Sequence, residues 1–223
     1  MMKNLIPLSL IALVFIFSSC KKNNDTTTIG YQLTTSSQST AINRIASTHR
    51  LQSGTLAWDS GFAYVRTIRF EAKKDSASVK YRSEVNQRVS LFDPLSSLGA
   101  ISLQAGTYRK VEFKADLLSS TTTPSLVLYG HFSDGTANYP IIFSVSNECN
   151  IKGEEEDVTI NSGSGNTSVT TINLEALTGG ITVSDWKSVT QSSGVIIISE
   201  SVNPKLYQIV TDHLQYLEHK FHH

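Results

Sequence analysis

The chain has 223 residues, with 19 basic and 19 acidic side chains and 39% hydrophobic residues. Balanced charge without a run of basic residues gives no long-range field for nucleic acid, so a nucleic-acid-binding role is not expected. Only Cys20 and Cys149 are available for disulfides, and once Cys20 is given another use no disulfide framework is left.

The first element is an export signal. Met1-Met2-Lys3 supplies a positive start, Leu5 to Phe17 is an apolar run, and Ser18-Ser19 places small residues before Cys20. Such a run is too short to remain as a membrane-spanning helix and reads as a signal peptide over residues 1–19. Phe17-Ser18-Ser19-Cys20 resembles the acceptor site of bacterial lipoproteins, whose cysteine is acylated with palmitate-type chains and begins the mature protein. Residues 20–30 come next as the lipidated cysteine and a flexible tether, because Lys21 to Thr28 is polar and offers no apolar surface to offset the entropy of ordering it. Residues 31–223 are expected to form a single domain.

Within that domain the dominant period is two. The stretch from Tyr31 to His49 is rich in Ser and Thr and has room for a first strand. Phe62, Tyr64, Ile68 and Phe70 share one parity, with Thr67, Arg69 and Glu71 on the other, the alternation of a half-buried strand. Lys73 to Ser76 is a polar turn, and Val79 to Val85 alternates again, so the two runs read as a hairpin. Gly106 to Leu117 places Val111, Phe113, Ala115 and Leu117 inward and Lys110, Glu112, Lys114 and Asp116 outward. Leu126 to Phe132 and Tyr139 to Val145 flank Ser133-Asp134-Gly135-Thr136, a strong hairpin signal. Val158 to Asn161 and Ser168 to Leu174 surround a Gly/Ser connection, and Val195 to Ser199 reads as a central strand buried on both faces.

Two helices are expected. One starts at Ser184 and runs through Trp186 to Gln191. The other spans 203–221, with Asn203 as N-cap, Pro204 at the first position, and Leu206, Ile209, Val210, Leu214, Leu217 and Phe221 on one stripe. The predicted fold class is therefore mainly β, an antiparallel β-sandwich with a C-terminal amphipathic helix.

Arg88 to Leu95, then Ile101-Ser-Leu-Gln-Ala-Gly-Thr-Tyr108 ahead of an alternating strand, resembles uncharacterised Gram-negative surface lipoproteins of the domain-of-unknown-function type. Those carry Leu-Pro-Ala-Gly-Thr-Tyr at this point, and Gln104 stands here where they have Pro. The resemblance implies an immunoglobulin-like or transthyretin-like sandwich anchored by lipid, and it implies no activity.

Candidate sites are sparse. Ser184 and Lys187 have the spacing of a Ser-x-x-Lys pair, but the companion segments of that chemistry are missing, and a capped helix beside an exposed lysine is the simpler reading. Ser164 lacks the frame of a nucleophile elbow, and Cys149, imagined with His131 as a thiol pair, reads better as a small packed residue near a strand end. Glu154, Glu155, Glu156 and Asp157 place four carboxylates in an expected loop, a candidate calcium site or a solvated acidic turn. His219 and His223 stand one helical turn apart, a spacing that can chelate zinc. Trp58, Tyr129 and Tyr139 are the aromatics expected to be exposed for stacking on sugars, and Thr26 and Ser76 lie in short Asp-Ser/Thr motifs like those of periplasmic O-glycosylation.

No coherent catalytic set emerges and no cofactor is implied. The sequence therefore reads as a non-enzymatic, lipid-anchored protein of the cell envelope, most simply of the outer membrane, with a role in binding, adhesion or assembly. Its partners would be the membrane, through the N-terminal lipid, and a glycan or protein. The alternatives are a carbohydrate-binding module or fimbria-like subunit, marked by exposed aromatics or a donatable edge strand, and a hydrolase assembled from residues distant in sequence.

Overall fold

The computed structural model describes residues 26–36, 39–45, 51–75, 77–93, 96–119, 123–163, 165–214 and 217–222. Among the described residues thirteen strands and three short helices are formed, in the order β1 (Thr26–Thr35), β2 (Ser39–Ile45), β3 (Leu51–Lys73), β4 (Ser78–Ser90), β5 (Ser97–Gln104), β6 (Gly106–Leu117), β7 (Leu126–Ser133), β8 (Asn138–Val145), β9 (Cys149–Ile160), β10 (Asn166–Ile172), α1 (Leu174–Leu177), α2 (Val183–Lys187), β11 (Gln191–Ser192), β12 (Val195–Ile198), α3 (Pro204–His213) and β13 (Leu217–His222). The protein is mainly β, as the period-two pattern requires.

The strands make two mixed sheets. A four-stranded sheet has the order β13-β10-β1-β5, and a nine-stranded sheet runs β11-β12-β8-β7-β3-β6-β9, with β2 and β4 also paired to β3. Pairing is not wholly antiparallel: β1 lies parallel to β10, and β12 lies parallel to β8. These two pairs correct the antiparallel expectation. Both join strands remote in sequence, and local hairpin signals carry no information about them.

β3 is the spine of the larger sheet. Its first half pairs with β2 and β7, and its second half with β4 and β6. The register shifts between Trp58 and Ser60 and again between Val65 and Thr67, and each extra residue exchanges the faces of the residues beyond it. Ala63 and Val65 are buried before the second bulge, Ile68, Phe70 and Ala72 after it. Phe62 and Tyr64 therefore stand on the half-exposed face opposite Ile68 and Phe70, a correction to the single parity expected for this strand. In β6, where the extra residue of that pairing lies on the β3 side and not on its own strand, Val111, Phe113, Ala115 and Leu117 are all buried as expected.

Two covers close the core. The four-stranded sheet sets Tyr31 against Phe70 and Phe113, with ring centroids 5.8 and 5.5 Å apart. The helices cover the other end of the larger sheet: Trp186 of α2 stacks on Phe132 at 5.6 Å, and Tyr207 of α3 lies 6.1 Å from Phe143. Full burial of side chains this large contributes roughly 1.5–3 kcal/mol each.

Helix ends differ from expectation for local reasons. α2 is capped by Thr182 rather than Ser184: the Thr182 hydroxyl accepts from the Asp185 backbone N–H, and the Asp185 carboxylate accepts in return from the Thr182 N–H. It ends at Lys187, well before Gln191. Asn203 holds the N-cap position of α3 with Pro204 next, as expected, but its backbone is left-handed and its side chain makes no capping bond; its amide donates instead to the Thr190 and Ile197 carbonyls. The expected helix over 203–221 stops at His213, and Leu217–His222 become β13, an edge strand paired with β10. Leu217 and Phe221 lie four apart, which fits one helical face and one strand face equally well. β12 also departs from its prediction. It is flanked on one side by the two-residue β11, and its burial alternates, with Ile196 and Ile198 inside and Val195 and Ile197 half-buried.

Candidate functional site

The outer face of the second half of β3 carries charge in ordered rows. Cross-strand pairing sets Arg82 of β4 opposite Arg69 of β3, Arg69 opposite Lys114 of β6, and Lys114 opposite Lys152 of β9. Four cations thus lie in register across four adjacent strands. The next row is Lys80, Glu71, Glu112 and Glu154. Like charges directly opposite one another are unfavourable in a sheet, so partners matter.

Two of the four cations are answered. Arg69 pairs with Asp116, and Lys152 reaches Glu112 at 3.2 Å and Glu154 at 2.8 Å. Glu154 also accepts from Lys110 at 2.6 Å, and the hydrogen bonds from Lys110 and Lys152 hold its carboxyl down at about 2. Glu71 is met by Lys73 and Lys80 at 3.4 and 3.5 Å. Among the described residues, Arg82 and Lys114 pair with no carboxylate. Between the two rows runs an open groove of about 420 Å³, lined by Arg69, Arg82 and Lys114 on one side and Glu71, Lys80 and Glu112 on the other.

Further along the same face sits an aromatic group. Phe62 meets Tyr64 edge-on at 5.7 Å and Tyr129 of β7 at 6.4 Å, and the Arg88 guanidinium lies 4.0 Å over the Phe62 ring. Tyr129 is 39% exposed, one of three large hydrophobics left in solvent among the described residues. From Phe62 to Arg69 is seven residues of strand, on the order of 20 Å.

The residues singled out by sequence are scattered over the fold. Tyr129 is exposed as expected, whereas Trp58 is 2% exposed, a core residue and no sugar platform. Tyr139 is half-buried and stacks on Phe132 at 6.2 Å. Glu154, Glu155, Glu156 and Asp157 lie in β9, not in a loop. Successive strand residues face opposite ways, so the four carboxylates diverge and cannot wrap an ion together. Among the described residues no group of three or more His, Cys, Asp or Glu is placed to hold a metal. His219 belongs to β13 opposite Thr170 rather than to a helix, which removes the helical spacing from His223; His223 itself lies outside the described residues.

Lys187 reaches Asp134 at 3.2 Å, so its partner is not Ser184. Asp134 also accepts from Thr136 and Ala137 in the β7–β8 turn, and these hydrogen bonds hold its carboxyl well below the ordinary carboxylate range. His131 contacts Asp59 at 3.0 Å. Cys149 begins β9, half-buried and 3.8 Å from the Ser125 hydroxyl, and burial pushes its thiol up. Thr26 is exposed but opens β1 opposite Gln104, inside the segment read as tether. Cys20, Ser76 and Ser164 lie outside the described residues.

Comparison with protein-family models, curated proteins and solved structures yields no match. The chemistry of the sheet face therefore stands on its own geometry. Sequence reasoning missed the cation row because Arg69, Arg82, Lys114 and Lys152 are scattered among acidic neighbours; only strand register aligns them.

Proposed function

We propose that this chain is a non-enzymatic lipoprotein of the bacterial cell envelope, held at the outer membrane by acylated Cys20, with a folded domain that binds a partner through its exposed sheet face. The observation that carries the reading is the segment Met1 to Cys20: a basic start, an apolar run, small residues and a cysteine in the acceptor position. No helix among the described residues is long and apolar enough to cross a membrane. Five residues separate Cys20 from Thr26 at the start of β1, six steps with a reach of at most about 22 Å, so the lipid would hold the domain close to the bilayer.

The packing of Tyr31 on Phe70 and Phe113 supports a β-sandwich arrangement of the two sheets, with a helical cover on the larger one. The Gly106-Thr107-Tyr108 neighbourhood supports kinship with Gram-negative surface lipoproteins. Mass spectrometry of the mature N-terminus from a Gram-negative host tests the assignment. It should find Cys20 as the first residue carrying acyl chains; an unmodified Cys20, or cleavage elsewhere, overturns it.

A further inference from the structure

We infer that the outer face of β3 and its neighbours binds an acidic oligosaccharide, with its anionic group held by Arg82, Arg69 and Lys114 and a neutral sugar face laid on Tyr129. The inference rests on the binding role proposed above and names the ligand class for that surface.

The cation row is the first ground. Three cations stand in register and only Arg69 among them has a carboxylate partner; their repulsion costs stability, and an oxyanion placed between Arg82 and Lys114 lowers that cost. Guanidinium groups present paired N–H donors that match a carboxylate or sulfate. The flanking acidic row is the second ground, because it selects against other anions. Duplex DNA carries a charge every ~1.7 Å of its axis, and Glu71 and Glu112 would face those charges. A sugar acid is sparse in charge and rich in hydroxyls. Its hydroxyls can donate to Glu71 and Glu112, whose oxygens have acceptor capacity beyond their lysine partners.

The aromatic group is the third ground. Tyr129 of β7 stands opposite Ser60, nine residues before Arg69 on β3, on the order of 30 Å along the sheet face, a span that a chain of several sugars covers and a single metabolite does not. The exposed Tyr129 ring offers an apolar face with a polar edge, as stacking on a sugar ring requires.

The test uses the full-length lipidated protein in a nonionic detergent, titrated calorimetrically with a hyaluronan hexasaccharide, in which every second sugar is a carboxylate. Uncharged maltohexaose and a short DNA duplex serve as comparisons. The hexasaccharide should bind, more weakly as salt rises, and at least tenfold more tightly than either comparison. Combined Arg82→Ala and Lys114→Ala should weaken binding at least tenfold and flatten its salt dependence. Tyr129→Ala should weaken it several-fold while leaving the salt dependence in place, and Lys205→Ala, on the exposed surface of α3, should leave it within twofold. Unfolding midpoints within a few degrees of the parent show that the variants are folded. No binding by the folded protein, equal binding of maltohexaose or DNA, or an unchanged Arg82/Lys114 variant each overturns the inference. None of these outcomes bears on acylation of Cys20, which the mass measurement tests separately.

Discussion

Gly130 of β7 faces the backbone of β3 so closely that a methyl group there would sit 2.2 Å from the Ala57 carbonyl oxygen. Backbone cannot yield as a side-chain tip can, so Gly130→Ala should cost at least about 1–3 kcal/mol, read as a fall in the urea midpoint. Trp186, 1% exposed and stacked on Phe132, should cost about 3–5 kcal/mol on truncation to Ala. On the surface, Glu154 links charge to pH. Its folded carboxyl is lowered from 4.5 to about 2 by the hydrogen bonds from Lys110 and Lys152, so its contribution is complete above its unfolded value and disappears as pH falls through the folded one. The thermal midpoints of the parent and Glu154→Gln should therefore differ near neutrality and converge as pH drops from 4.5 toward 2. Added salt should shrink the difference, because these groups are open to solvent. At this scale the outward residues of β6 were legible from alternation alone. Those around Val65 were not: Phe62, Ala63, Tyr64 and Val65 are all apolar, and a bulge then decides which parity is buried. Trp58 illustrates the same gap, since composition marks a large aromatic but not the sheet face on which it lands.

At the scale of elements, local chemistry placed hairpins well and endpoints less well. The Asp134-Gly135 turn joins β7 to β8 as its sequence demands, with Gly135 at a φ of 85°. α2 depends on the reciprocal Thr182–Asp185 cap, so Thr182→Ala should destabilise by about 1 kcal/mol, whereas Ser184→Ala should have little effect. That contrast, measured by chemical unfolding, separates the observed helix start from the one expected by sequence. The end of α3 was harder to read, because Leu217 and Phe221 suit either period. β10 offers an edge to pair with, and a strand there satisfies backbone groups that a longer helix would leave to solvent. The Val195–Ile198 run shows the converse ambiguity: consecutive apolar residues signal burial, yet half of them lie only partly buried beside a two-residue edge strand.

At the scale of the molecule, hydrophobic alternation predicts many strands and one core, while the parallel joins β1–β10 and β8–β12 arise from contacts between distant segments. The charged face has the same origin. Its cations are spread from position 69 to 152 and become neighbours only when β4, β3, β6 and β9 align. The sequence itself carries the basic start, apolar run and Ser18-Ser19-Cys20 on which the proposal rests, that a folded β domain is held to the envelope by lipid on Cys20. Fractionation of cells expressing the parent chain and Cys20→Ala tests that claim most directly. The parent should sediment with outer membranes and enter the detergent phase on Triton X-114 partitioning, while Cys20→Ala should be a folded protein absent from both. Equal membrane association of the two chains would contradict the account.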